Sequence, residues 1–284
     1  MAEPTAETQF PPGPLCTQVT LEEEFRKLGI SRGDILLVHS SLRSLGWVNG
    51  GAEAIVQAFL TILGTDGTLV VPTHTDYLTL PDNWSRPPVP VQWNIRIRNT
   101  MLPFNPRTSR SRGMGEVAET VRTWPGAQRS DHPRTSFAAI GAHAGNITAS
   151  HPLASMLGEE SPLGALERLD GRVLLLGVGF DKCTAFHLAE YRTPNPAFVH
   201  ESFPTSHEGP DGARLWMDAM TVELNSDDFG ALGAAFERDR ENLVTRGAVG
   251  GASCALFSLP EAVAFAQQWF ADNRSHAKPN SSQK

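Results

Sequence analysis

Cysteine is scarce. The 284 residues contain only Cys16, Cys183 and Cys254, spaced too widely for a metal knuckle. Their odd number fits free thiols in a reducing cytosol better than a disulfide framework. No apolar run approaches the roughly 18 residues that a membrane-spanning helix requires. The acidic stretch Met1–Glu7 also lacks the basic start and apolar segment of a secretion signal. A cytoplasmic protein without a membrane partner is expected. Surplus positive charge is missing too: 24 Lys and Arg stand against 31 Asp and Glu, a net charge of −7, which argues against nucleic acid as a partner. A cationic ligand suits that field, and so does mere solubility. The 9 histidines include no H-x-x-x-H or H-E-x-x-H pair, so no metal site is expected.

Hydrophobic residues at 40% and charged residues at 19% suffice for a sizeable core. The pattern predicts one α/β domain over residues 17–274, with a flexible N-terminus at 1–16 and a flexible tail at 275–284. A helix capped by Thr20 runs to Gly29, with Leu21, Phe25 and Leu28 on one face. A strand at Ile35–Val38, a helix at Ala52–Leu63 and a strand at Gly67–Val71 follow. The continuous apolar run Arg172–Gly177 reads as a buried strand covered on both faces. Ser258, Pro260 and Glu261 open a C-terminal helix. Between them, residues 74–112 hold six prolines without periodicity, an irregular insertion of the kind that usually serves function.

Three segments carry candidate chemistry. His187 lies on a predicted helix with Glu190 three residues on, and so on the same face. A carboxylate beside imidazole fixes the tautomer and raises basicity, as a general base needs; a hydrogen-bonded structural histidine is the alternative. The run from His39 to Gly51 places hydroxyls at the end of a predicted strand and glycines before a helix, where backbone N–H groups attract phosphate. It matches neither dinucleotide nor Walker fingerprints, and an ordinary loop explains it equally well. The turn Arg129–Ser136 offers a guanidinium, hydroxyls and an imidazole to an anion, or is a proline-containing surface loop. Cys183 stands four residues before His187, as an acyl-carrying nucleophile or, more simply, a buried thiol.

Four strings, VHSSLRSLGWVNGGA (38–52), RSDHPRTS (129–136), GEESPLG (158–164) and LLGVGFDKCTAFHLAEY (175–191), occur in this order before RGAVG (246–250). Together they resemble the aminoglycoside 3-N-acetyltransferases, the antibiotic N-acetyltransferase family, over the whole folded chain. The resemblance implies an α/β fold with a central mixed or parallel sheet flanked by helices, distinct from the common N-acetyltransferase superfamily. It implies acetyl-CoA as co-substrate and a small cationic aminoglycoside, modified on the 3-amino group of its deoxystreptamine ring, as acceptor. Such an activity confers antibiotic resistance. His187, the histidine of the D-x-x-T-x-x-H pattern, becomes the base; Asp181 or a more distant acid is then expected to orient it, and Thr184 or a nearby backbone N–H to meet the oxyanion. The coenzyme is expected against His39, Ser40, Ser41, Leu42, Arg43 and Ser44 and against Arg129, Ser130 and Ser136. Asp76, Tyr77, Glu190, Glu223 and Asp228 are the acceptor-binding candidates. A different small amine as acceptor, or a non-catalytic binding protein, are the alternatives, and the chain is expected as a monomer or homodimer.

Overall fold

The computed structural model describes residues 13–84 and 87–274. In chain order the elements are β1 (Leu15–Cys16), α1 (Gln18–Leu28), β2 (Ile35–Ser40), β3 (Trp47–Val48), α2 (Gly51–Leu63), β4 (Thr68–Pro72), α3 (Asn94–Thr100) and α4 (Gly115–Thr123). Then come β5 (Gln128–Arg129), β6 (Phe137–Gly141), α5 (Ala144–Thr148), α6 (Pro162–Arg168), β7 (Arg172–Leu176) and α7 (Phe186–Glu190). The chain closes with β8 (Phe198–Glu208), β9 (Arg214–Val222), α8 (Phe229–Asp239), β10 (Val244–Val249), β11 (Ala252–Ser258) and α9 (Leu259–Asn273).

A seven-stranded sheet in the order β10-β11-β7-β2-β4-β6-β5 forms the centre. It is mixed: β7, β2 and β4 are parallel, and the strands outside them run antiparallel. Successive side chains of a strand point to opposite faces, and the two faces are packed separately. Leu37, Val70, Val173 and Leu175 join one core with Phe186, Phe229 and Phe270. Leu36, Val38, Leu69, Leu174 and Leu176 join the other with Phe25 and Phe59 from α1 and α2. The middle of each strand of the parallel centre is therefore apolar on both faces, as the run at 172–177 implied.

Two boundaries differ from the sequence reading. The cap of α1 is Thr17, whose side chain accepts from the Thr20 N–H while the Thr20 hydroxyl accepts in return; either threonine satisfies the pattern, and the reciprocal pair selects the first. Residues 15–16, assigned to a flexible N-terminus, form β1 against β3, with Cys16 buried. Residues 1–12 and the expected tail at 275–284 lie outside the described residues. The insertion at 74–112 is closed at its base by Arg112 N–H donating to the His74 carbonyl at 2.9 Å. It contains α3, a helix with no buried residue and hence no periodicity to betray it. No helix among the described residues is long and apolar enough to cross a membrane.

Candidate active site

The carboxyl ends of the parallel strands β2, β4 and β7 open on one side of the sheet, the place where α/β folds gather ligands. Each contributes to one cluster. β2 carries His39 as its penultimate residue, β4 leads through Thr73 into His74, and β7 leads through Gly177 toward α7 and His187. Gly177 turns the chain there with φ +68°, and a Cβ on it would stand 2.6 Å from Ser44 Cβ. Only glycine lets the two loops meet this closely.

His187 sits in the single turn of α7, which is shorter than the helix its surroundings suggested. Its Nδ1 is 2.6 Å from Glu190 Oε2, and the Glu190 side chain is 3% exposed. The other carboxylate oxygen accepts from the Asn225 N–H at 3.0 Å and from Arg274 at 2.6 Å. Arg274 also grips Asp228 with two nitrogens and lies over the Phe270 ring at 3.7 Å. A carboxylate held in this way is an acceptor, so the proton between it and the imidazole belongs on Nδ1. Nε2 then carries the lone pair and has no hydrogen-bond partner among the described residues.

Asp181, the expected orienting acid, pairs instead with Lys182 at 3.1 Å, with 56% of its side chain exposed. Three residues of separation along one helical turn bring Glu190 to the ring, whereas Asp181 lies in the preceding 3-10 turn and faces water. Thr184 does reach the cluster: its hydroxyl is 3.3 Å from His39 Nε2. His39 is held neutral, its pKa pushed down to about 4 by burial and then by the nearby positive charge of a protonated His187. His74 was not anticipated as a site residue. Burial and the neighbouring His187 and His39 push it down to about 3, and its enclosed Nε2 has no hydrogen-bond partner. Its position just past the end of a parallel strand was the available signal.

The loop after β2 remains open to a ligand. Ser41 and Ser44 share a hydrogen bond of 2.9 Å, and Arg43 is exposed without an ion-pair partner among the described residues. The turn at 129–136 is different. Arg129 donates to Thr73 and Ser136 and to the carbonyls of Pro106 and Ser109, committing every guanidinium nitrogen. Ser130 and Ser136 are fully buried; the first links the Phe137 N–H to His151, and the second donates to the Thr73 carbonyl. Arg129 thus fastens the insertion to the sheet through the carbonyls of Pro106 and Ser109, while Ser130 and Ser136 bond within the sheet and the turns beside it.

Four carboxylates were expected around the acceptor. Glu190 and Asp228 are engaged with His187 and Arg274, and Glu223 is exposed, its backbone N–H bonded to Ala197 and its carboxylate without an ion-pair partner among the described residues. Asp76 and Tyr77 do line a cleft of about 660 Å³, together with Trp84, Arg112, Arg134 and Glu201. Glu201 comes from β8, a strand that the sequence reading left unassigned. Cys183 is buried and its thiol pushed up to about 12 by burial. No group of three or more His, Cys, Asp or Glu among the described residues is placed to hold a metal.

Residues 37–271 match the family model described as aminoglycoside 3-N-acetyltransferase. The chain belongs to that family. It is accordingly an acyltransferase with acetyl-CoA as co-substrate. The SPbeta prophage-derived aminoglycoside N(3')-acetyltransferase-like protein YokD of Bacillus subtilis is 44% identical over 91% of this chain and 94% of its own. Its crystal structure superposes with a TM-score of 0.87, covering 95% of this chain and 97% of that one, at 41% identity. Aminoglycoside N(3)-acetyltransferase III from Salmonella sp is 35% identical over 88% of this chain and 89% of its own. The structure of AAC-IIIb with CoASH gives a TM-score of 0.79 at 28% identity, covering 94% of this chain and all (100%) of that one. The mixed sheet flanked by helices is thus the architecture of these acetyltransferases and not of the common N-acetyltransferase superfamily.

Proposed function

We propose that the protein transfers acetyl from acetyl-CoA directly to the 3-amino group of the deoxystreptamine ring of an aminoglycoside, with His187 as general base, and so confers resistance. The observation that carries this reading is the buried Glu190 carboxylate 2.6 Å from His187 Nδ1, which leaves Nε2 as the proton acceptor. Family membership and the names of the relatives support the substrate class.

An amine attacking a thioester must lose a proton as the amide forms. His187 Nε2 takes it, and the resulting imidazolium is stabilised by Glu190, whose own charge is held in place by Arg274 and the Asn225 N–H. The neutral His39 and the Thr184 hydroxyl beside it supply polar hydrogens for the oxyanion of the tetrahedral intermediate. Thiolate leaves as the carbonyl re-forms. The loop at His39–Ser44, with the Arg43 guanidinium, receives the anionic coenzyme, and the Tyr77–Trp84 cleft receives the acceptor sugar. Direct transfer is favoured over an acyl-enzyme because the candidate nucleophile, Cys183, is buried and protonated.

The test is His187→Ala, which leaves a folded protein and lowers turnover by about 10²- to 10⁴-fold, the usual range for a general base. Asp181→Asn changes turnover little. Near-normal release of CoA thiol from the His187 variant removes that residue from the mechanism.

A further inference from the structure

The cleft at Asp76 and Tyr77 presents a charge arrangement that a receptor for polycations does not need. Its two carboxylates are not vacant. Arg134 reaches both, with Nε 3.4 Å from Asp76 Oδ1 and a terminal nitrogen bonded to Glu201 Oε1. Glu201 has 12% of its side chain exposed and is the more desolvated of the two. An ion pair gains strength as water is excluded, so Glu201 is the better seat for a ligand ammonium, and it is the seat Arg134 fills more closely. A second guanidinium, Arg112, lies over the Tyr77 ring at 4.8 Å and has no carboxylate partner among the described residues. The described charges lining the cleft therefore balance, Asp76 and Glu201 against Arg112 and Arg134.

Arg134 cannot withdraw. Its backbone N–H donates to His132 Nδ1 at 3.1 Å and its carbonyl accepts from the Thr75 N–H at 2.8 Å, in a turn whose neighbours His132 and Thr135 are buried. When a ligand ammonium reaches Glu201, the guanidinium can swing aside but stays in the cleft as a like charge. The cleft adjoins the reacting cluster, since His74 feels the charges of both Arg134 and His187.

We propose that Arg134 is an internal counter-ion occupying the ammonium seats of the acceptor cleft, so that this enzyme discriminates against highly charged acceptors and favours amines of low positive charge. The proposal rests on the aminoglycoside reading for the identity of the cleft. Its physical content is a competition between one fixed guanidinium and the ligand's ammonium groups, in which each additional ligand charge gains less than it would from free carboxylates.

The experiment is isothermal calorimetry with gentamicin, a polyamine, and with 2-deoxystreptamine, its less charged ring fragment, on the CoA-loaded protein at low salt. Arg134→Gln is expected to bind gentamicin about tenfold more tightly than wild type, with a smaller gain for 2-deoxystreptamine and with the difference shrinking at high salt. Adding Glu201→Gln to that variant should abolish the gain, which identifies Glu201 as the seat released. Unchanged or weaker gentamicin binding by a folded Arg134→Gln, a gain that survives Glu201→Gln, or no binding by either protein overturns the proposal. If Arg134→Gln does not fold, wild type alone decides: gentamicin binding less than about threefold more tightly than 2-deoxystreptamine supports the counter-ion, and a hundredfold preference refutes it. Thiol release separates the two readings, because wild-type protein that transfers acetyl to no aminoglycoside fails the proposed function while calorimetry still judges Arg134.

Discussion

Lowering the pH from 7 to 5 is expected to destabilise this protein strongly, and the cause is a pair of histidines buried beneath the turn that carries Arg134. The rings of His132 and His151 lie against each other at a tilt of 37°, with centroids 4.5 Å apart. His132 Nδ1 accepts from the N–H groups of Arg134 and Thr135, both at 3.1 Å, and His151 Nδ1 lies 2.9 Å from the Ser130 hydroxyl. The Ser130 oxygen in turn accepts from the Phe137 N–H, which leaves its proton for His151. In both rings Nδ1 is an acceptor, and a proton placed there would face a donor. Burial, with the neighbouring ring and nearby cations adding to it for His132, pushes His132 well below its ordinary range, and burial brings His151 down to about 4.

The sign follows from linkage. An unfolded histidine titrates near ~6.5, so between that value and the folded pKa the unfolded chain binds more protons, and stability rises with pH. The contribution is complete above pH ~6.5 and is lost as pH falls toward ~4. At about 1.4 kcal/mol per pH unit and per group, pH 5 costs about 2 kcal/mol for each histidine, about 4 kcal/mol for the two. That is a large part of the ~5–15 kcal/mol that stabilises a typical domain. His39 and His74, pushed down to about 4 and about 3 with burial as the first cause, add in the same direction. Carboxylates do not confuse the window, since they titrate near ~4 when unfolded. Urea unfolding followed by tryptophan fluorescence at pH 7.5, 6 and 5 measures the loss. A midpoint that stays constant across this range, or imidazole NMR signals of His132 and His151 that titrate near pH ~6.5 in the folded protein, would refute the reasoning.

Two further outcomes follow from the ion pairs and thiols. Arg274→Gln leaves the Glu190 carboxylate, 3% exposed, without its cation, and should cost about 2–3 kcal/mol of stability and about tenfold in acetyl transfer; a variant as stable and as active as wild type would show that Arg274 does not hold Glu190. Cys183→Ala should retain full activity, because a thiol at about 12 is ionised at pH 7 in only about one molecule in 10⁵; an acetylated thiol in the intact mass of protein given acetyl-CoA alone would contradict this.

The parallel centre of the sheet was legible because its strands are apolar on both faces, a pattern that survives in a single sequence. The candidate base was legible through its motif, and Glu190 was visible as its helical neighbour, read both as a carboxylate beside the ring and as a candidate contact to the acceptor. What distinguishes the two roles is Arg274, 84 residues away, which neutralises Glu190 from the end of α9 and makes it unavailable to a ligand. The same limit governs Arg129. Its turn reads as an anion site because a guanidinium and hydroxyls are adjacent, but most of the acceptors it meets, the Thr73, Pro106 and Ser109 carbonyls among them, lie 20 to 56 residues distant and have no signature of their own. Arg134 and Glu201, 67 positions apart, meet only because the β8–β9 hairpin brings Glu201 to the turn after β5. Residue type and local spacing thus set which groups can do chemistry. Long-range pairing determines which partners those groups already have, as it does for Glu190 with Arg274 and for Arg129 with Ser109.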